Sequence, residues 1–208
     1  MTTLKQMLYN SPMARDGREA LLDAAERLFA TNGLDAVSLR QIGVEAGQRN
    51  TAAAHYHFGT KEALVDAVFE RRMTPVNAHR WDLLADAGDD PAALVEAFVV
   101  PFAATVHPGS TYARFSAQVV SHPTLNTLAA LDRPFMTGLV EVFVRLERVC
   151  GGDPSWPERR RLLAVLVVQG LADRERLLDL GEPVADDATA LAVLIQTASI
   201  LVQENSHA

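Results

Sequence analysis

Apolar residues recur along the chain at three- and four-residue spacing, and no stretch alternates apolar with polar β-branched residues, so an all-α protein is predicted. Asp16 followed three residues later by Glu19 reads as a capping box opening a first helix, with Leu21, Leu22, Ala25, Leu28 and Phe29 on one face and Asn32-Gly33 as its stop. Ser38 and Gln41 form a second capping box, for a helix that turns Leu39, Ile42 and Ala46 inward and ends at Gly47. A third, short piece runs from Asn50 to Phe58. Thr60 caps a fourth helix, with Ala63, Leu64, Ala67, Val68 and Phe69 at helical spacing. Pro75 predicts a kink or boundary beyond Arg72. Further helices are predicted from Asp90-Pro91 to about Val106, bent at Pro101, then over 110–121, 123–131, 134–150, 157–180 and 186–204. This divides the chain into a disordered tail at 1–14, a helix-turn-helix head at 15–73 and a helical bundle at 74–208.

The third piece is unusual. Arg49, Asn50, His55, Tyr56 and His57 crowd a segment whose only purely apolar bulky residue is Phe58, whereas a helix kept for packing carries a broad apolar stripe. Two short helices joined by a tight turn at Gly47, with a first helix across them, make a helix-turn-helix whose second helix enters the major groove of DNA. Ala52, Ala53 and Ala54 would then permit close approach to the groove, and Arg49, Asn50 and Thr51 would donate to base edges or phosphates. Lys61 and the amides at the start of the fourth helix make a second phosphate site.

Taken over the whole chain, charge opposes this reading, since the 208 residues carry a net charge of -7. Residues 1–72, however, hold nine basic and nine acidic side chains, so the whole acidic excess lies in the remainder. A neutral head with clustered Arg and Lys is compatible with DNA, while an acidic body is not. With 49% hydrophobic residues the chain can bury a sizeable core. One cysteine, no apolar leader at the N-terminus and no membrane-spanning run point to the cytoplasm.

Leu39, Ile42, Ala46-Gly47, Tyr56-His57-Phe58-Gly59 and Thr60-Lys61-Glu62-Ala63-Leu64, preceded by Ala24-Ala25-Glu26-Arg27-Leu28-Phe29, resemble the signature of the tetracycline-repressor (TetR) family over about residues 18–72. The resemblance implies a homodimeric transcriptional regulator, usually a repressor, with a DNA-binding head and a body that binds a small effector. It also implies phosphate contacts by Tyr56, His57 and Lys61. Ser38, Arg40 and His55 complete the candidate DNA-facing set, His55 standing where the family's usual tyrosine falls. The turn AGQRN is one residue longer than usual, and Gly43 replaces the usual alanine.

Other chemistry is sparse. His55 and His57 are two apart on a helix and point roughly 200° from each other, so one ion is not held by both, and no metal or cofactor is expected. Arg71-Arg72 reads either as a phosphate contact or as the solvated end of the fourth helix. No nucleotide-binding, nucleophile-elbow or zinc motif is present, so no enzyme is expected; the alternatives are a helical enzyme built on scattered acids or a protein-binding adaptor. The segments Leu162–Ala172 and Ala188–Val202 are apolar nearly all round and require burial on more than one side, either in a homodimer interface or in a wholly internal core. Candidate ligand-lining residues are Phe98, Phe102, Tyr112, Phe115, Gln118, Phe135 and Phe143, with Leu125, Leu128, Leu131, Met136 and Leu139 beside them and Arg114 and His122 as further polar partners.

Overall fold

The structure is a computed structural model that describes residues 12–122 and 133–203. All regular structure among these residues is helical: α1 (Pro12–Asn32), α2 (Leu39–Glu45), α3 (Ala53–Phe58), α4 (Lys61–Ala87), α5 (Pro91–Ala103), α6 (Tyr112–Ser121), a single 3-10 turn (Pro134–Met136), α7 (Thr137–Cys150), α8 (Trp156–Leu180) and α9 (Asp187–Ile200). Two compact units divide between Arg71 and Arg72, so that α4 begins in the first and ends in the second.

Most helix starts are locally encoded. Ser38 accepts from the Gln41 amide while the Gln41 side chain takes the Ser38 amide at 2.8 Å, the reciprocal capping box expected. Thr60 Oγ1 accepts from Ala63 N at 3.1 Å, and Asp90 accepts from Ala92 N and Ala93 N ahead of Pro91. Asp186 caps α9 through Thr189 N. Two expectations need correction. α1 begins at Pro12, so Asp16 lies inside it rather than at its cap, and 12–14 belong to a helix, not a tail. Pro75 does not end the helix: its missing N–H removes one hydrogen bond, and α4 runs on to Ala87. The helix expected at 123–131, with Leu125, Leu128 and Leu131, lies outside the described residues.

The first unit packs α1 against α2 and α3. Leu21, Leu22, Ala25, Phe29, Ile42, Leu64 and Val68 are fully withdrawn from water at its centre. Arg71 ties α4 to α1 through Glu19, Asp23 and the buried Glu26, which lie on one face of α1.

In the second unit α8 packs on α6 and α9, while α5 packs on α7 and α9. α6 starts without a side-chain cap of its own. Glu175 of α8 fills that place: its buried carboxylate accepts from Ala113 N at 3.2 Å, Arg114 N at 3.0 Å, Ser110 Oγ at 2.8 Å and Arg114 Nε at 3.1 Å. Pro101 leaves the carbonyl of Ala97 without its usual helical donor, and Arg80 Nε of α4 donates to it at 3.1 Å.

Candidate nucleic-acid interface

The turn of the helix-turn-helix rests on two glycines. Gly47 has φ of +65°, a conformation that suits glycine and lets the chain reverse after α2. Gly43 is buried where α2 meets the end of the turn, and a Cβ there would stand 2.7 Å from the Thr51 carbonyl oxygen. Because that neighbour is backbone, it cannot swing aside, and α3 would be pushed off α2. Gly43→Val is therefore expected to lower head stability by about 1–3 kcal/mol, the usual cost of overpacking, and to weaken duplex binding. A thermal melt of the variant checks this, and an unchanged melting temperature refutes it.

α3 is shorter than its sequence pattern implied, beginning at Ala53. Arg49, Asn50 and Thr51 consequently precede it, in the turn. The Asn50 Oδ1 accepts from Ala52 N at 3.0 Å, bracing the turn, which leaves its amide N–H groups to face outward. Within α3 the inward positions are 53, 54, 57 and 58, and the outward ones are 55 and 56, with Ala52 exposed just before the helix. Ala53 and Ala54 thus serve the core, at 8% and 0% exposure, and do not provide the close approach expected of them; only Ala52 is exposed. His55 is exposed and Tyr56 is 70% exposed, so the histidine at the family's tyrosine position and the tyrosine beside it share the outer face.

His57 is less exposed than its neighbours His55 and Tyr56. It is half-buried between the rings of Tyr56 and Phe58, with the Arg18 guanidinium 5.2 Å above Phe58. Burial first and Arg18 second hold its imidazole below the ordinary histidine range, so it supplies little positive charge at neutral pH.

Lys61 is partly buried and its Nζ donates to the Leu34 carbonyl at 2.9 Å, with two further ammonium donors in hand. Ser38 is exposed, but its hydroxyl is committed to the capping box: it donates to Gln41 Oε1 at 2.7 Å. Arg40 and Arg49 are exposed on either side of the turn. Arg71 and Arg72 follow neither reading offered for them, since Arg71 is held by three carboxylates and Arg72 lies 5.9 Å over the Tyr112 ring.

In the second unit Phe98, Phe102, Tyr112 and Phe115 are buried and stack edge-on or face-on in the pairs Phe98–Phe143, Phe102–Tyr112 and Tyr112–Phe115. Phe135 and Phe143 are half-buried, and Gln118 is exposed, off this cluster. Arg114 is spent on Glu175 and Asp179. Sequence reading missed two members of this region, Asn77 and Arg80, because a polar residue in a long amphipathic helix carries no local sign of burial. No helix among the described residues is long and apolar enough to cross a membrane, and no group of three or more His, Cys, Asp and Glu among them is placed to hold a metal ion.

Comparison with known proteins accords with this geometry. The family described as bacterial regulatory proteins, tetR family, matches residues 21–68, which span α1 through the first turns of α4. A TetR family transcription regulator from Marinobacter aquaeolei VT8 superposes with a TM-score of 0.62 at 17% identity, over 91% of this chain and 96% of that one. A putative transcriptional regulator of the TetR family from Vibrio parahaemolyticus gives a TM-score of 0.50 at 20% identity, over 88% and 97%. Curated protein sequences give no match. Regulators of this family are DNA-binding proteins and not enzymes. Residues 21–68 thus match the tetR family of bacterial regulatory proteins, and the chain shares its fold with a solved regulator of that family.

Proposed function

We propose that this protein is a cytoplasmic, homodimeric repressor that binds a palindromic duplex operator and is released by a small, mainly apolar effector. The head, residues 15–73, reads DNA; the body, 74–208, binds the effector and the second copy. The observation that carries the reading is the outer face of α3 and its preceding turn, where Arg49, Asn50, Thr51, His55 and Tyr56 are all exposed. A face of that composition has no packing role, and it offers hydroxyl, amide, imidazole and guanidinium donors to phosphates and base edges. Lys61 adds a point charge beside it, and Ser38 and Arg40 flank it. The exposed Leu162 and Val165 of α8 and Val193 and Ile200 of α9 support the dimer. The buried aromatic residues of the body support an apolar effector, with coupling to DNA of typically 1–3 kcal/mol, equal in both directions.

Selection of bound sequences from random duplex DNA, followed by anisotropy titrations over a range of salt, tests the reading. Lys61→Gln, which keeps a donor for Leu34, and Tyr56→Phe are expected to weaken all duplexes about equally, the former lowering the salt slope by about one. Asn50→Ser, which keeps an acceptor for Ala52 N, is expected to relax base preference by about 1–3 kcal/mol of discrimination. Parent-like binding by all three variants would remove α3 as the reading element.

A further inference from the structure

Arg80 is 1% exposed, the second largest of the fully buried side chains, and no carboxylate pairs with it among the described residues. Its neighbours are neutral. Nε donates to the Ala97 carbonyl, and Nη1 donates to Asn77 Oδ1 at 3.3 Å and lies 3.8 Å from the Met73 sulfur. A guanidinium carries five N–H donors. The two on Nη2 meet no acceptor among the described residues. Desolvation pulls the group down to about 10, with the nearby Tyr112 phenol acting the other way, so at neutral pH the positive charge is still present and, among the described residues, uncompensated.

Burying a charge without a counter-charge is strongly unfavourable, and an arginine kept only to serve the Ala97 carbonyl would be a costly choice, since a neutral donor suffices for a neutral acceptor. The remaining capacity points outward from that role. Tyr112 is fully buried with its ring against Phe102, and Ser116, one turn further along the same face of α6, is 4% exposed with no hydrogen-bond partner for its hydroxyl among the described residues. One cation with no counter-charge among the described residues, beside the buried Tyr112 ring, fits a ligand with a single negative charge on an apolar body.

We propose that the effector is a monocarboxylate with an apolar body, its carboxylate pairing with Arg80 in the body of the protein. Carboxylate geometry matches the guanidinium fork, with a bidentate or side-on pair satisfying Nη2. One negative charge neutralises the site, whereas a dianionic phosphate would leave it with an excess negative charge among aromatic side chains. The inference rests on the ligand-responsive reading above and names the chemistry of its effector.

The test uses the full-length protein and a probe panel of octanoate, decanoate, 4-phenylbutyrate and 4-tert-butylbenzoate, each beside its primary amide. Binding is read by thermal shift and titration calorimetry. At least one carboxylate is expected to bind on the order of 10- to 100-fold more tightly than its amide, the value of charge-assisted hydrogen bonds. Arg80→Met is expected to lose that preference, while Arg80→Lys, which retains charge and a donor for Ala97 and so guards against a merely misfolded methionine variant, retains it. Equal affinity of acid and amide for the parent, a preference that survives in Arg80→Met, or binding by none of the four carboxylates overturns the assignment. A second arm measures duplex affinity with the bound carboxylate. If the carboxylate binds through Arg80 and leaves duplex affinity unchanged, the ligand-responsive reading falls and the Arg80 assignment stands.

Discussion

Glu175→Ala is expected to destabilise the body by about 3–5 kcal/mol, the range found when one partner of a buried ion pair is removed. The carboxylate is 0% exposed and accepts four hydrogen bonds, two of them from the first amides of α6. Removing it orphans those amides and leaves Arg114, 19% exposed, with only Asp179 as counter-charge. Ser110 Oγ keeps the His107 carbonyl, but the two amides lose their acceptor, and unsatisfied donors at a packed helix start cost more than the hydrogen bond itself stabilises. The loss corresponds to a fall in melting temperature on the order of 10 °C for a chain of this size. Urea denaturation measures it. A change below about 1 kcal/mol, the typical net worth of one hydrogen bond, would mean that water enters and replaces the carboxylate, and that Glu175 does not hold α6 to α8.

The paired substitution Val193→Glu with Ile200→Glu is expected to convert the protein from dimer to monomer at micromolar concentration. The two residues lie seven apart on one face of α9, at 57% and 64% exposure within the single chain, so the change leaves the chain's own core untouched. Leu162 and Val165 on α8 are exposed as well, at 42% and 39%. An apolar patch of this kind, buried between two copies, cannot accept unpaired carboxylates. On the proposed function, a palindromic operator is held by both heads at once, and the monomer is then also expected to lose roughly 10²- to 10⁴-fold in operator affinity, the gain that joining two binding modules supplies. Sedimentation velocity reads the first effect and anisotropy the second, with helix content by circular dichroism as the folding control. A parent that sediments as a monomer, or a double variant that stays dimeric, would place the interface elsewhere. Leu194 and Leu201, equally apolar in sequence, are partly covered by their own chain and would mix the two effects.

What the sequence by itself determined were the features whose physics is complete within a few residues. The Ser38–Gln41 capping box, the Thr60 and Asp90 caps and the reversal at Gly47 each satisfy backbone donors or a backbone angle inside one turn, and all of them stand in the structure. The helical class and the family signature around α2 to α4 were legible for the same reason. Asp16-Gly-Arg-Glu19 has the same local form yet stands mid-helix, because α1 continues upstream to Pro12. Only the tertiary structure decided which way each face turns. Ala53, Ala54 and His57 point inward and His55 and Tyr56 outward because α3 must cover the core formed with α1 and α2, a choice that composition does not reveal. Asn50 is divided between bracing the turn and facing outward, since α3 starts only at Ala53. Glu175 caps a helix more than sixty residues before it, and Arg80 serves a carbonyl that Pro101 leaves without a donor. Such partners meet through the packing of separate helices. A hydrogen bond between distant residues leaves no periodicity or spacing in the chain from which it could be read.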